Sequence, residues 1–109
     1  MADRNHAWLD KRSLALASAV ADRLESNPEL LAVARKNLDS WIGQSSSSPP
    51  SAHLEWRDIL DHETVEAIVQ LLRTDSERGQ RLRQSNPFAG LLTPRERWSI
   101  LSQYEARSA

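Results

Sequence analysis

The 109-residue sequence predicts an all-α protein, a compact bundle of five to six helices. Three observations carry this. Apolar residues recur at three- and four-residue spacing through successive stretches, and no stretch alternates in the two-residue period of a strand. Helix-start signals, a Pro after Asn and two Thr-x-x-Glu boxes, stand ahead of periodic runs.

The first nine residues, MADRNHAWL, read as a flexible polar arm, whose Trp8 either tucks back on the bundle or, with Leu9, orders on another chain. From Asp10 to Ser26 the run is rich in Ala and Leu, both strong helix formers. Leu16, Val20 and Leu24 share a face with Ala17 and Ala21, a surface small enough for another backbone to approach closely. Asn27 is placed to cap the next helix, Pro28 suits its first position and Glu29 favours its N-terminal dipole. Leu30, Leu31, Ala34, Leu38, Trp41 and Ile42 form its apolar stripe, and Gly43 is a natural stop. Residues 10–44 therefore read as an antiparallel helical hairpin. The Ser/Pro stretch at 45–52 builds no packed element and reads as a loop. It separates the hairpin from a C-terminal part, 53–109, within one domain. The two are expected to pack together, because a lone hairpin buries too little.

In the C-terminal part, a short helix over 53–60 carries Trp56, Ile59 and Leu60, and a break falls near Asp61 and His62. Val65, Ile68, Val69 and Leu72 define the following helix. Thr74 to Glu77, TDSE, matches a capping box that opens a short basic helix ending near Gln84, and Thr93 to Glu96, TPRE, matches a second. The last helix runs to about Arg107 and is expected to bury Trp98, Leu101 and Tyr104.

Between the two boxes lies SNPFAGLL. Pro87 fixes one backbone angle and extends Asn86, and Gly90 supplies a conformation that other residues resist. Phe88, Leu91 and Leu92 then give a short loop three large apolar groups. They can plug the end of the bundle, or form the centre of a protein contact flanked by arginines, since aromatic residues and Arg most often carry interface energy. The residues alone leave both readings open.

The segment SNPFAGLLTPRERWSIL, with SLALASAVADRL, NPELLAVARKNLDSW and EWRDIL upstream, resembles a group of small bacterial proteins. They share a PFAG-L-(S/T)P-x-ERW signature near the C-terminus and are similar to antitoxin-type components of toxin–antitoxin modules. Pro87, Phe88, Ala89, Gly90, Leu91, Pro94, Glu96, Arg97 and Trp98 carry the likeness. It implies a non-catalytic protein that binds and restrains an enzyme.

Charge offers the rival. Net charge is −1, which by itself points to neither nucleic acid nor membrane. Residues 1–72 hold seven Lys/Arg against eleven acids, and residues 73–109 hold seven Arg against four acids. Arg73, Arg78, Arg81, Arg83, Arg95 and Arg97 gather about the loop, all of the type that grips carboxylate or phosphate bidentately. A nucleic-acid-binding regulator is the alternative function, and self-association through the Ala-rich first helix a third.

Catalytic signatures are missing. His62 and Asp58 stand four apart, yet no third ligand joins them. Three glycines build no phosphate loop, and the serines at 45–48 have no base near them. No cofactor, metal or enzymatic activity is expected. With no cysteine and no apolar run of membrane-spanning length, the chain is expected to be cytoplasmic. Trp41, Trp56 and Trp98 are expected in the core. The expected partner surface is Phe88, Leu91, Arg95 and Arg97, with Arg78, Arg81 and Arg83 beside it.

Overall fold

The structure is a computed structural model and describes residues 2–44, 48–88 and 90–108. It contains α1 (Ala2–Ser26), a single 3-10 turn (Pro28–Leu30), α2 (Leu31–Gln44), α3 (Ser51–His62), α4 (Val65–Arg73), α5 (Glu77–Arg83) and α6 (Pro94–Ser108). The described residues hold no strand, and none of their helices is long and apolar enough to cross a membrane. At ~1.5 Å per residue the 25 residues of α1 reach about 37 Å. That nearly fills the longest dimension of the molecule, 40 Å. The expected arm at 1–9 is thus helical from Ala2 onward, continuous with the Ala-rich run; the side chain of Trp8 lies outside the described residues.

The small-residue face of α1 finds its partner across the chain. Ala17 and Ala21 are fully buried beside Val20 and Leu24, and the helix most closely packed against α1 is α4. That helix buries Ile68, Val69 and Leu72. Helices α5 and α6 also lie on α1, while α2 packs on α3. α1 and α2 are joined by the tight turn at Pro28, and α4 takes the close-approach face of α1. Alanines leave no ridge there, so the strongly apolar α4 can seat its branched side chains against the α1 backbone. The two parts on either side of the Ser/Pro loop share one core.

Trp56 on α3 anchors that core. It is fully buried, and its indole N–H donates to the Leu82 carbonyl at 2.9 Å. Satisfying that donor is what allows so large a ring inside. On α2, Ala34 and Leu38 are buried and Trp41 and Ile42 half-buried. Trp41 meets His53 of α3 with ring centroids 5.3 Å apart.

Helix ends follow side-chain chemistry, with two corrections. Asn27 precedes the Pro28 turn but makes no side-chain cap bond. Thr64 caps α4 by accepting from the Ala67 N–H at 3.1 Å. Thr74 does not open α5 as the box TDSE predicts. It closes α4 instead, donating from both its backbone N–H (3.0 Å) and its hydroxyl (2.6 Å) to the Gln70 carbonyl. The cap of α5 is Ser76, which accepts from the Gly79 N–H at 3.0 Å. Gly79 is required there, since a Cβ would stand 2.9 Å from the Thr74 carbonyl oxygen. The second box forms as read: the Thr93 N–H donates to Glu96 Oε1 (2.9 Å) and the Glu96 N–H to Thr93 Oγ1 (3.1 Å).

Candidate functional site

The loop between α5 and α6 is held at each step. Asn86 Oδ1 accepts from the Phe88 N–H at 2.7 Å, the side-chain turn that Asn favours. The carbonyl of Pro87 accepts from Asn37 Nδ2 on α2 at 2.9 Å. The Leu91 N–H then donates to the Phe88 carbonyl at 3.3 Å, with Gly90 at φ +92°. A positive φ at the third position of such a turn is why glycine stands there.

This geometry decides between the two readings of the loop. Phe88 is 3% exposed and Leu91 6%. The Phe88 ring meets Trp56 edge-on, centroids 5.4 Å apart at 82°. These two side chains plug the bundle; as core residues they present no surface to a partner. Placing them in the contact surface is thereby corrected. The single Phe of the chain is thus used in the core, against Trp56.

The arginines separate into three groups. The first is occupied by the protein's own acids. Arg81 grips Glu55 of α3 through both oxygens, at 2.6 and 3.1 Å, and Arg78 adds Nε at 3.4 Å. The hydrogen bonds from Arg81 hold the Glu55 carboxyl below the usual carboxylate range. Arg73 bridges Asp22 (2.5 Å) and Glu25 (2.6 Å) of α1, and its hydrogen bond lowers the Glu25 pKa. Arg23 of α1 pairs with Glu96 of α6. The second group is Arg95 and Arg97, exposed on α6 and without an ion pair among the described residues.

The third is Arg83 alone. It is 6% exposed. Its Nε lies 3.3 Å from Ser13 Oγ of α1 and its Nη1 3.3 Å from the Thr74 carbonyl, while its Nη2 is buried with no partner. No carboxylate pairs with it among the described residues. Expected on the contact surface, Arg83 is instead an interior cation. The signal for this was present: Gly79, Leu82 and Arg83 fall at three- and four-residue spacing on the buried face of α5.

Arg83 forms part of the wall of a pocket of about 550 Å³ between α1, the loop and the start of α6. Ser13, Leu16, Asn86, Leu92 and Arg97 line it as well, and among the described residues no Asp or Glu does. Sequence reasoning missed the α1 contribution, because nothing local ties Ser13 or Leu16 to a loop 70 residues away.

Trp98 also departs from expectation. Predicted in the core, it is 69% exposed. Glu96 and Ile100 line the recess between α6 and α1. Residue 98 stands two positions from each, about 200° round the helix, and so points away from α1. Leu101 and Tyr104 are half-buried.

His62 on α3 donates from Nδ1 to the Asp58 carbonyl at 3.0 Å, an exposed contact within one helical turn that raises its pKa. Among the described residues no three His, Cys, Asp or Glu side chains gather as a metal would need.

Fold and site together define a small all-α bundle with a plugged end, a cationic pocket beside the plug and an exposed Trp–Arg face on its last helix. Compared with known protein families, curated proteins and solved structures, the chain matches none.

Proposed function

We propose that the chain is a non-catalytic protein-binding module, an antitoxin-like inhibitor that docks on and restrains a partner enzyme through the outer face of α6. The observation that carries this is Trp98, 69% exposed, with the exposed Arg95 and Arg97 next to it in sequence. Tryptophan and arginine are the residue types that most often dominate interface energy, and here Trp98 stands clear of the chain's own packing with the exposed Arg95 about one turn before it. The partner this face fits presents an apolar recess with carboxylates around it. The nucleic-acid reading has less support, because Arg73, Arg78 and Arg81 already hold carboxylates of the chain itself.

The test is affinity capture of the tagged protein from its source cells, with and without nuclease, beside the variant Trp98→Ala. The expected result is one protein captured near 1:1, resistant to nuclease and lost from the variant. As an exposed side chain, Trp98 should change stability by no more than about 0.5 kcal/mol. A partner released by nuclease would favour the regulator. Undiminished capture by Trp98→Ala would remove α6 as the contact.

A further inference from the structure

We infer that the pocket between α1, the 84–92 loop and α6 is a binding site for a small organic oxyanion, a carboxylate or phosphate carried on an apolar body. The pocket shares Arg97 with the exposed stretch of α6, but the inference does not depend on that helix docking a partner.

Arg83 motivates it. A guanidinium buried to 6% exposure ordinarily has a carboxylate beside it, because burying a lone charge is unfavourable by several kcal/mol. Arg83 has one hydroxyl, one backbone carbonyl and a buried Nη2 with nothing to donate to. The rest of the chain shows that acids are readily supplied: Arg23, Arg35, Arg73, Arg78 and Arg81 each reach one. Among the described residues Arg83 is the interior arginine that lacks one, and the missing charge is what a bound anion would bring.

The pocket matches that chemistry. Its volume, about 550 Å³, falls in the range of small-molecule sites, roughly 300–1,000 Å³. Among the described residues two arginines and no acid line it, so their field there is positive. Leu16, Val20 and Leu92 supply apolar lining, Ser13 a hydroxyl next to Arg83, and Asn86 a further polar group. A simple inorganic anion would leave that apolar surface unused. The neighbourhood of Arg83 is also spared bulk, since Gly79 lacks the Cβ that would stand 3.1 Å from its Nη1. Arg83 is held by α1 and by the α4–α5 junction, so the cation is fixed in place before any ligand arrives.

The experiment is calorimetric titration of the full chain with three probes sharing one alkyl tail: octanoate, octyl phosphate and the neutral octanol. At least one of the anions should bind one per chain, and octanol about ten- to a hundredfold more weakly, the range of a charge-assisted hydrogen bond. Octanoate against octyl phosphate then tells which oxyanion the site takes. Arg97→Gln, at an exposed position, should weaken the anion severalfold and leave octanol unchanged. Arg83→Met should abolish the preference for anions while Tm holds or rises, because an unpaired buried charge has been removed. Should that variant not fold, Arg97→Gln still decides. The inference is overturned if no probe binds at millimolar concentration, if octanol binds as well as the anions, or if Arg97→Gln leaves anion affinity intact.

Discussion

Replacing Phe88 by Ala separates a core plug from a contact residue. The side chain is 3% exposed, and its ring meets Trp56 edge-on at 5.4 Å. Truncating a buried Phe costs about 3–5 kcal/mol, through lost transfer energy and the cavity left behind. The lower end applies here, because Phe88 borders the pocket and its neighbours have room to relax. About 3 kcal/mol is a large share of the ~5–15 kcal/mol that holds a domain of this size folded. It corresponds to a fall in Tm of about 12 °C, at roughly 4 °C per kcal/mol. Thermal melting followed by near-ultraviolet circular dichroism is the assay, since Trp56 reports the same cluster. Phe88→Leu, which keeps most of the volume but loses the edge-on ring, should cost under about 1.5 kcal/mol. A fall in Tm below about 4 °C for Phe88→Ala, together with lost partner capture, would refute the plug.

Other substitutions test the local reasoning. Thr93→Ala removes one half of the α6 capping box and should cost about 1 kcal/mol, seen as a lower urea midpoint with unchanged m. Gly79→Ala is expected to destabilise despite the better helix propensity of Ala. Its Cβ would meet the Thr74 carbonyl at 2.9 Å, and overpacking of about 1–3 kcal/mol outweighs the ~1 kcal/mol gained. Acid should loosen the bundle. Glu25, Glu55 and Glu96 have carboxyl pKa values lowered in the fold, by hydrogen bonds from Arg73, from Arg81 and from the Thr93 N–H respectively. A lowered folded pKa stabilises the fold above the ordinary value of 4.5 and is lost as pH falls through the folded values. A titration of Tm should thus decline on the acid side of 4.5, and Glu55→Gln should flatten part of it. His62 acts oppositely: its raised pKa helps below 6.5, and the help fades as pH climbs through the folded value.

The elements were legible where their causes are local. Apolar spacing placed the helices, and the Thr93–Glu96 box formed because both its bonds close within one turn. Thr74 misled for a related reason. TDSE offers two overlapping signals, and only the end of α4 decides that Thr74 closes one helix and Ser76 opens the next. What the sequence could not show was which face meets which. Trp98 looked like core because it extends an apolar spacing with Leu101. The inward face of α6 is instead fixed by Glu96 reaching Arg23 on α1, a polar contact that periodicity does not see. Phe88 and Arg83 were both expected on the contact surface; the depth of Arg83 depends on α1, whose Ser13 it reaches across most of the chain.

The uneven charge of the two halves has the same origin. An acidic N-terminal part and a basic C-terminal part invite a search for an external partner of opposite sign. Much of that asymmetry is consumed inside the fold, where Arg73 meets Asp22 and Glu25 and Arg78 and Arg81 meet Glu55. Exposed pairs of this kind contribute only about 0–1 kcal/mol each, too little to hold the bundle. They serve better as register marks, favouring α4 on α1 and α5 beside α3 over other packings of similar apolar faces. Among the described residues, subtracting them leaves Arg83 in the wall of a pocket that no described acid lines, and Arg95 and Arg97 exposed on α6. A basic half that serves assembly has no reason to leave these three unmatched. The residues that assembly does not explain are therefore the ones on which the functional experiments should bear.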